Sequence, residues 1–271
     1  MNMPFTVDPY SGLRLYELSH VWNGEAPSYP GQADVSMRRG VKHSEHGVLA
    51  WRISTSLHTG THMCAPLHMV QLTEDLASIP LERLFGNGVV LDIPKGNFET
   101  ISAADLKAAQ PIKEGDFVVI NTGWHHKYSD GLEYFGEAPG LTEDAAQYLV
   151  EMKVKLVAID TPFIDAPLAT SMGPHRGGPK MKRLEKAYLD ATGRDAKVDF
   201  PKWYIAHKNL AAAGIPVVQQ VGGDVDELSG KRATFAATPW KFEHGEASQI
   251  RFVAMTDPEG KVRMDSGKEV K

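Results

Sequence analysis

The chain has 271 residues with a formal net charge of −5; 42% of them are hydrophobic and 23% charged, which is enough chain for a sizeable core without staples. The acidic balance argues against a nucleic-acid partner, and the single cysteine excludes an internal disulfide or a multi-cysteine zinc site. No apolar run reaches the roughly eighteen residues of a membrane-spanning helix. The first twenty residues lack the basic and apolar regions of a secretory signal, so a cytoplasmic protein with no membrane partner is expected.

In chain order, residues 51–57 read as a strand, and 88–93 (GVVLDI) as a buried one. Ser102 precedes AADLKAAQ with Asp105 three residues on, the pattern of a capped short helix. Residues 116–121 (DFVVIN) form the next strand, and Thr142 opens a helix over EDAAQYLVEMK with acidic residues in its first turn. Strand 155–160 (KLVAID) follows. Residues 173–200 break the rhythm and read as an insertion with its own short helix, either a lid or a surface excursion. A helix over 202–213 stops at Gly214 and Pro216, and strands at 215–221 and 250–255 precede a polar tail at 256–271. Strands alternating with helices give an α/β fold class, read as one domain over 1–271.

The densest chemistry is HTGTHMCAPLH, which places three of the eleven histidines within residues 58–68. Gly60 and Pro66 oppose a regular helix, so an irregular loop leaving a strand is expected. Along it His62 and Cys64 point the same way by period two, and Gly60 allows the bend that swings His58 round. Two imidazoles and a thiolate suit zinc above other dications. Three histidines each satisfied by ordinary hydrogen bonds, or Cys64 acting as a nucleophile with His62 or His68 as its base, are the alternatives.

This window resembles the H-x-G-T-H-x-D-x-P-x-H signature of the cyclase-like metal hydrolases, the family of bacterial kynurenine formamidase, isatin hydrolase and trans-dienelactone hydrolase. His58, Gly60, Thr61, His62, Pro66 and His68 match, whereas Cys64 stands where the family has aspartate. Similar segments follow in the same order: Leu18-Ser19-His20, Asn121-Thr122-Gly123-Trp124, Asp160 to Asp165, His207 through Pro216, and 239–253. The resemblance implies a mixed α/β domain around a β-barrel-like sheet, assembled as a homodimer or homotetramer. It also implies His58, His62 and Cys64 as metal ligands and His68 as the acid/base. His207 then acts as a further catalytic histidine, a weak ligand or second donor. The family's second-metal glutamate falls at Gln219, twelve residues after His207. As in the isatin-hydrolase-like branch, the resemblance implies Gln219 as a further ligand to a single metal; a plain hydrogen bond to a neighbouring strand is the alternative. With both bridging carboxylates replaced, one divalent ion is expected, zinc favoured and manganese the alternative.

Trp51, Trp124 and Arg176 are candidate substrate-binding residues, the arginine for a substrate carboxylate. Asp160 and Asp165 read as turn-formers. No nucleotide-binding glycine motif is present. The expected reaction is metal-assisted hydrolysis of a small cyclic amide or lactone; a non-catalytic member of the fold that binds a small acid is the remaining alternative.

Overall fold

Four parallel strands, Phe85–Asp92, Phe117–Asn121, Leu156–Ile159 and Val217–Gln219, form the centre of a ten-stranded mixed sheet. Antiparallel strands extend it on both sides. Arg232–Ala237, Phe252–Thr256, Arg14–Glu17 and Thr6–Val7 lie beyond the first, His62–Cys64 and Ala247–Gln249 beyond the last. The computed structural model describes residues 5–175, 181 and 183–262. The apolar runs of the sequence thus become the buried strands.

The sheet curls into a barrel-like form. Ser19 bridges to Val221, and the Gly222 N–H donates to the Leu18 carbonyl at 3.0 Å, so chain beyond Arg14–Glu17 meets chain beyond Val217–Gln219. Side chains alternate between two cores, as a period of two requires. Phe117, Val119, Val90, Phe235 and Phe252 share one; Val118, Ile120, Val89, Leu91 and Val217 share the other. The helices Ala103–Ala108, Glu143–Glu151 and Ile205–Ala212 cover the second face through Leu106, Ala145, Leu149 and Leu210.

Local chemistry sets the helix ends. Ser102 accepts the Asp105 N–H while the Asp105 carboxylate accepts the Ser102 N–H at 2.8 Å, the reciprocal cap expected from the spacing. The last helix begins at Ile205, not at 202. Asp165, forty residues upstream, accepts the N–H groups of Ala206 (2.8 Å) and His207 (3.1 Å), which fixes the first turn there.

The segment 173–200 carries two helices, Leu184–Thr192 and Ala196–Asp199. Leu184, Tyr188 and Ala196 are buried in a third cluster with Trp124, Tyr134 and Phe163, so the described part of the segment packs against the domain. Residues 51–57 give a shorter strand, Ala50–Ser54, in an exposed hairpin with Ser36–Val41. Among the described residues no helix is long and apolar enough to cross a membrane.

Candidate active site

Gly60 shapes the histidine loop. Its φ of +65° lies in the left-handed region, and a Cβ there would sit 3.0 Å from the Trp22 ring. Thr61 anchors the same loop: its Oγ1 accepts the His20 N–H at 2.9 Å and donates to the Gln220 carbonyl at 2.6 Å. The Leu18-Ser19-His20 segment therefore holds the loop in place. Beyond it His62–Cys64 runs as a strand between Val217–Gln219 and Ala247–Gln249, with Met63 in one core and Cys64 in the other.

Four donors converge beside a cavity of about 350 Å³, which His58, His62 and His68 line and Cys64 does not. His58 Nδ1 lies 3.3 Å from His62 Nε2 and 3.5 Å from Cys64 Sγ. The His68 ring centroid is 4.3 Å from that of His58, and ligand atoms of His58, Cys64 and His68 all fall within 4.8 Å of one another. Gln219 Nε2 is 3.5 Å from the sulfur, and the buried His207 ring is 5.5 Å from His68. The structure thus brings together His58, His62, Cys64, His68, His207 and Gln219.

The hydrogen bonds orient these rings. His62 Nδ1 sits 2.8 Å from the Gly60 carbonyl and must carry the hydrogen, which leaves the Nε2 lone pair facing His58. His58 Nε2 lies 3.6 Å from a carboxylate oxygen of Glu246, and its Nδ1 faces the His62 Nε2 lone pair and the Cys64 sulfur. Rings backed by a carbonyl and a carboxylate, with their other nitrogens converging in front, are the arrangement that metal-ligating histidines adopt. The donor set fits a divalent ion.

Burial tunes the same groups. It lowers His62 to about 3, aided by the charge of His58, and lowers His68 to about 3 for the same two reasons. It also takes His207 well below its ordinary value, with His68 and His58 adding to the effect. All three rings are neutral near pH 7, with a lone pair available to a metal ion. The Cys64 thiol is pushed up, first by burial and then by the Glu246 charge. The contact with His58 holds the Glu246 carboxyl below its usual range, against its partial burial.

The other proposed binding residues lie elsewhere. Trp51 is 43% exposed on the hairpin, where the Arg39 guanidinium covers its ring at 5.2 Å. Trp124 is buried in the third cluster and donates its indole N–H to the Tyr134 carbonyl at 3.0 Å. Neither lines the cavity. Arg176 lies outside the described residues. Asp160 and Asp165 serve backbone N–H groups, at Thr122 and at the start of the Ile205–Ala212 helix, as turn-formers do.

The cavity walls were less legible in the sequence. Phe135, Phe163, Ile164 and Trp203 supply apolar surface, while Tyr29, Ser171 and Tyr204 join their hydroxyls on one side. Tyr204 holds a φ of 49°, an uncommon conformation for a bulky residue, at the start of the His207 helix. Lining residues Ser171 and Trp203 flank the segment 173–200, but none of its described residues lines the cavity. Glu246 carries no motif; its only signal is its place in the 239–253 segment.

Residues 16–166 match the family model described as putative cyclase, and the chain belongs to that family. Among curated proteins it is 28% identical over 183 residues to a kynurenine formamidase of Erythrobacter litoralis (strain HTCC2594), covering 66% of this chain and 82% of that one. A Bacillus thuringiensis (strain Al Hakam) kynurenine formamidase is 25% identical over 150 residues, 55% of this chain and 69% of its own length. Two solved structures share the fold. Isatin hydrolase A from Ralstonia solanacearum superposes with a TM-score of 0.73 at 20% identity, covering 92% of this chain and 94% of that one. Isatin hydrolase A from Labrenzia aggregata, bound to benzyl benzoate, gives 0.69 at 23%, covering 90% and 93%.

Proposed function

We propose that the chain is a metal-dependent hydrolase that opens a small cyclic amide or lactone. The observation that carries this reading is the convergence of the ring nitrogens of His58, His62 and His68 with the Cys64 sulfur beside the cavity that the three histidines line. The names of the relatives and structural neighbours support an amide hydrolase, isatin being itself a cyclic amide. A cavity of about 350 Å³ is at the lower end of small-molecule sites and suits one ring system or two fused rings.

His58, His62 and Cys64 hold one divalent ion, zinc favoured and manganese the alternative, and Gln219 borders it. Such an ion supplies Lewis-acid activation of the carbonyl and of the attacking water. Phe163 and Trp203 enclose the ring, and the hydroxyls of Tyr29, Ser171 and Tyr204 orient its polar edge. Neutral His68 takes the proton from the attacking water and passes it to the leaving nitrogen or oxygen. The C–N or C–O bond breaks, and the product carries a carboxylate. His207 donates a hydrogen bond from the same wall. A cysteine nucleophile fits less well, because the thiolate is the reactive form and without an ion burial holds this thiol protonated, whereas coordination to a dication releases the proton.

We infer further that the protein is a cytoplasmic homodimer or homotetramer. The hairpin exposes Val48, Leu49, Trp51 and Ile53 together, an apolar patch of the kind that marks an interface. The described part of the segment 173–200 backs the cavity from behind, because its Tyr188 shares a buried cluster with the lining residues Phe135 and Phe163. To test the reaction, metal content is measured on the purified protein beside ring-opening rates on a panel of lactones and cyclic amides, with and without chelator. Full activity in chelator, or none on any member of the panel, would overturn the proposal.

A further inference from the structure

A second group of ligand-type side chains lies where the turn Trp124–Lys127 meets the turn Val225–Leu228, and none of its members lines the cavity. His125 is buried, with Nδ1 3.2 Å from Oδ2 of Asp160. Asp160 is itself fully buried and accepts the Thr122 hydroxyl at 2.7 Å and the backbone N–H groups of Thr122 and His125. Since those oxygens only accept, the hydrogen of His125 belongs on Nδ1. Its Nε2 lone pair then points at Oδ2 of Asp226, 3.3 Å away. His126 Nε2 lies 3.0 Å from the same oxygen. The other carboxylate oxygen of Asp226 is occupied by Asn121 Nδ2 at 2.9 Å.

A neutral His125 sets acceptor against acceptor. A proton on its Nε2, which burial opposes and Asp160 and Asp226 favour more strongly, satisfies that one pair but leaves the His126 ring, its centroid 4.0 Å away, aimed at the same oxygen. One dication instead answers both lone pairs and the carboxylate together. Donors held ~2.0–2.1 Å from a tetrahedral ion stand ~3.3 Å from each other. The observed 3.0 and 3.3 Å separations match that edge. Asp160 behind His125 completes the carboxylate–histidine–metal order that fixes a ligand's tautomer.

We propose that His125, His126 and Asp226 form a second divalent-metal site of zinc type, with Asp160 orienting His125. The exposure of His126 and Asp226 leaves its remaining position to water, and the ion would pin the two turns together. The full chain is equilibrated with micromolar free zinc, dialysed, and its bound zinc counted for wild type, His126→Ala and Asp226→Asn. His126 is on the surface, so its loss does not endanger folding. The expected result is a fall of one zinc per chain in His126→Ala, repeated in Asp226→Asn. The difference from wild type is read whether or not the His58 centre holds an ion, and His58→Ala counts that centre separately. A zinc content unchanged from wild type in either variant of the second site overturns the proposal.

Discussion

Gln219 Nε2 lies 3.5 Å from Cys64 Sγ although 155 residues separate the two. The contact exists because their strands are antiparallel neighbours in which Val217 faces Cys64 and Gln219 faces His62. A neutral amide beside a sulfur stands where two carboxylates would favour a hard, two-ion centre. The donor set is soft and low in charge.

Cys64 variants test that balance. Cys64→Asp should shift preference from zinc towards manganese without unfolding the domain, and Cys64→Ser should weaken zinc by about tenfold or more. Competition titrations with the two ions read both effects. If Cys64→Ser abolishes turnover while zinc affinity stays at the wild-type value, sulfur is a nucleophile and not a ligand.

His68 separates acid/base from ligand. His68→Ala should lower turnover by about 10²–10⁴-fold while His58, His62 and Cys64 retain the ion. Metal analysis of the same preparation decides: loss of the ion together with activity would make His68 a fourth ligand.

Much of this arrangement was legible in the sequence, because the strands are continuous apolar runs and the helix at Ser102 announces its own cap. The histidine loop was legible as well, since Gly60, Pro66 and period two constrain where His58, His62 and Cys64 can point. What the sequence hid depends on long-range contact. Trp124 reads as a pocket wall until Tyr134 is seen to take its indole N–H. Trp51 reads the same way until its strand is found in an exposed hairpin. Glu246 meets His58 across 188 residues, a pairing created by sheet order alone.

Acid should destabilise the metal-free protein. His62 and His68 fall from an ordinary 6.5 to about 3 on folding, chiefly through burial and then through His58, and His207 shifts in the same direction. Below pH 6.5 the unfolded chain binds protons that the folded chain refuses, so the stability present above 6.5 is lost as pH falls towards 3. Each such histidine contributes about 1.4 kcal/mol per pH unit. Asp165 works the other way: burial raises it from 3.8 to about 7, so its stabilisation is present below 3.8 and lost as pH rises through 7. Burial also lowers His20, to about 4, whereas at His125 burial is outweighed by Asp160 and Asp226 and the ring is raised. Four imidazoles therefore stand against one carboxyl and one imidazole, which leaves a net loss on acidification. Urea unfolding of chelator-treated protein between pH 4 and 6.5 should show it, and a flat profile would reject the assignment.

The hairpin predicts the assembly. Ile53→Asp places a charge in the patch formed with Trp51, Val48 and Leu49 while leaving both cores untouched. Sedimentation should show smaller particles with unchanged secondary structure. A wild-type protein that already sediments as a monomer would remove the hairpin's proposed role.

Asp165 reaches the site through a helix end. Its two oxygens accept the Ala206 and His207 N–H groups, and so set where the last helix starts and where the His207 ring enters the cavity. Asp165→Asn keeps the size but puts an NH₂ group against one of those donors. Because the carboxyl is fully buried, no water can relieve that contact, and a loss of about 1–3 kcal/mol is expected. His207 should shift with the helix start, lowering turnover even though residue 165 is not among the lining residues. Thermal unfolding and steady-state kinetics on the same variant give the two readouts. Reduced stability with unchanged kinetics would confine Asp165 to the fold.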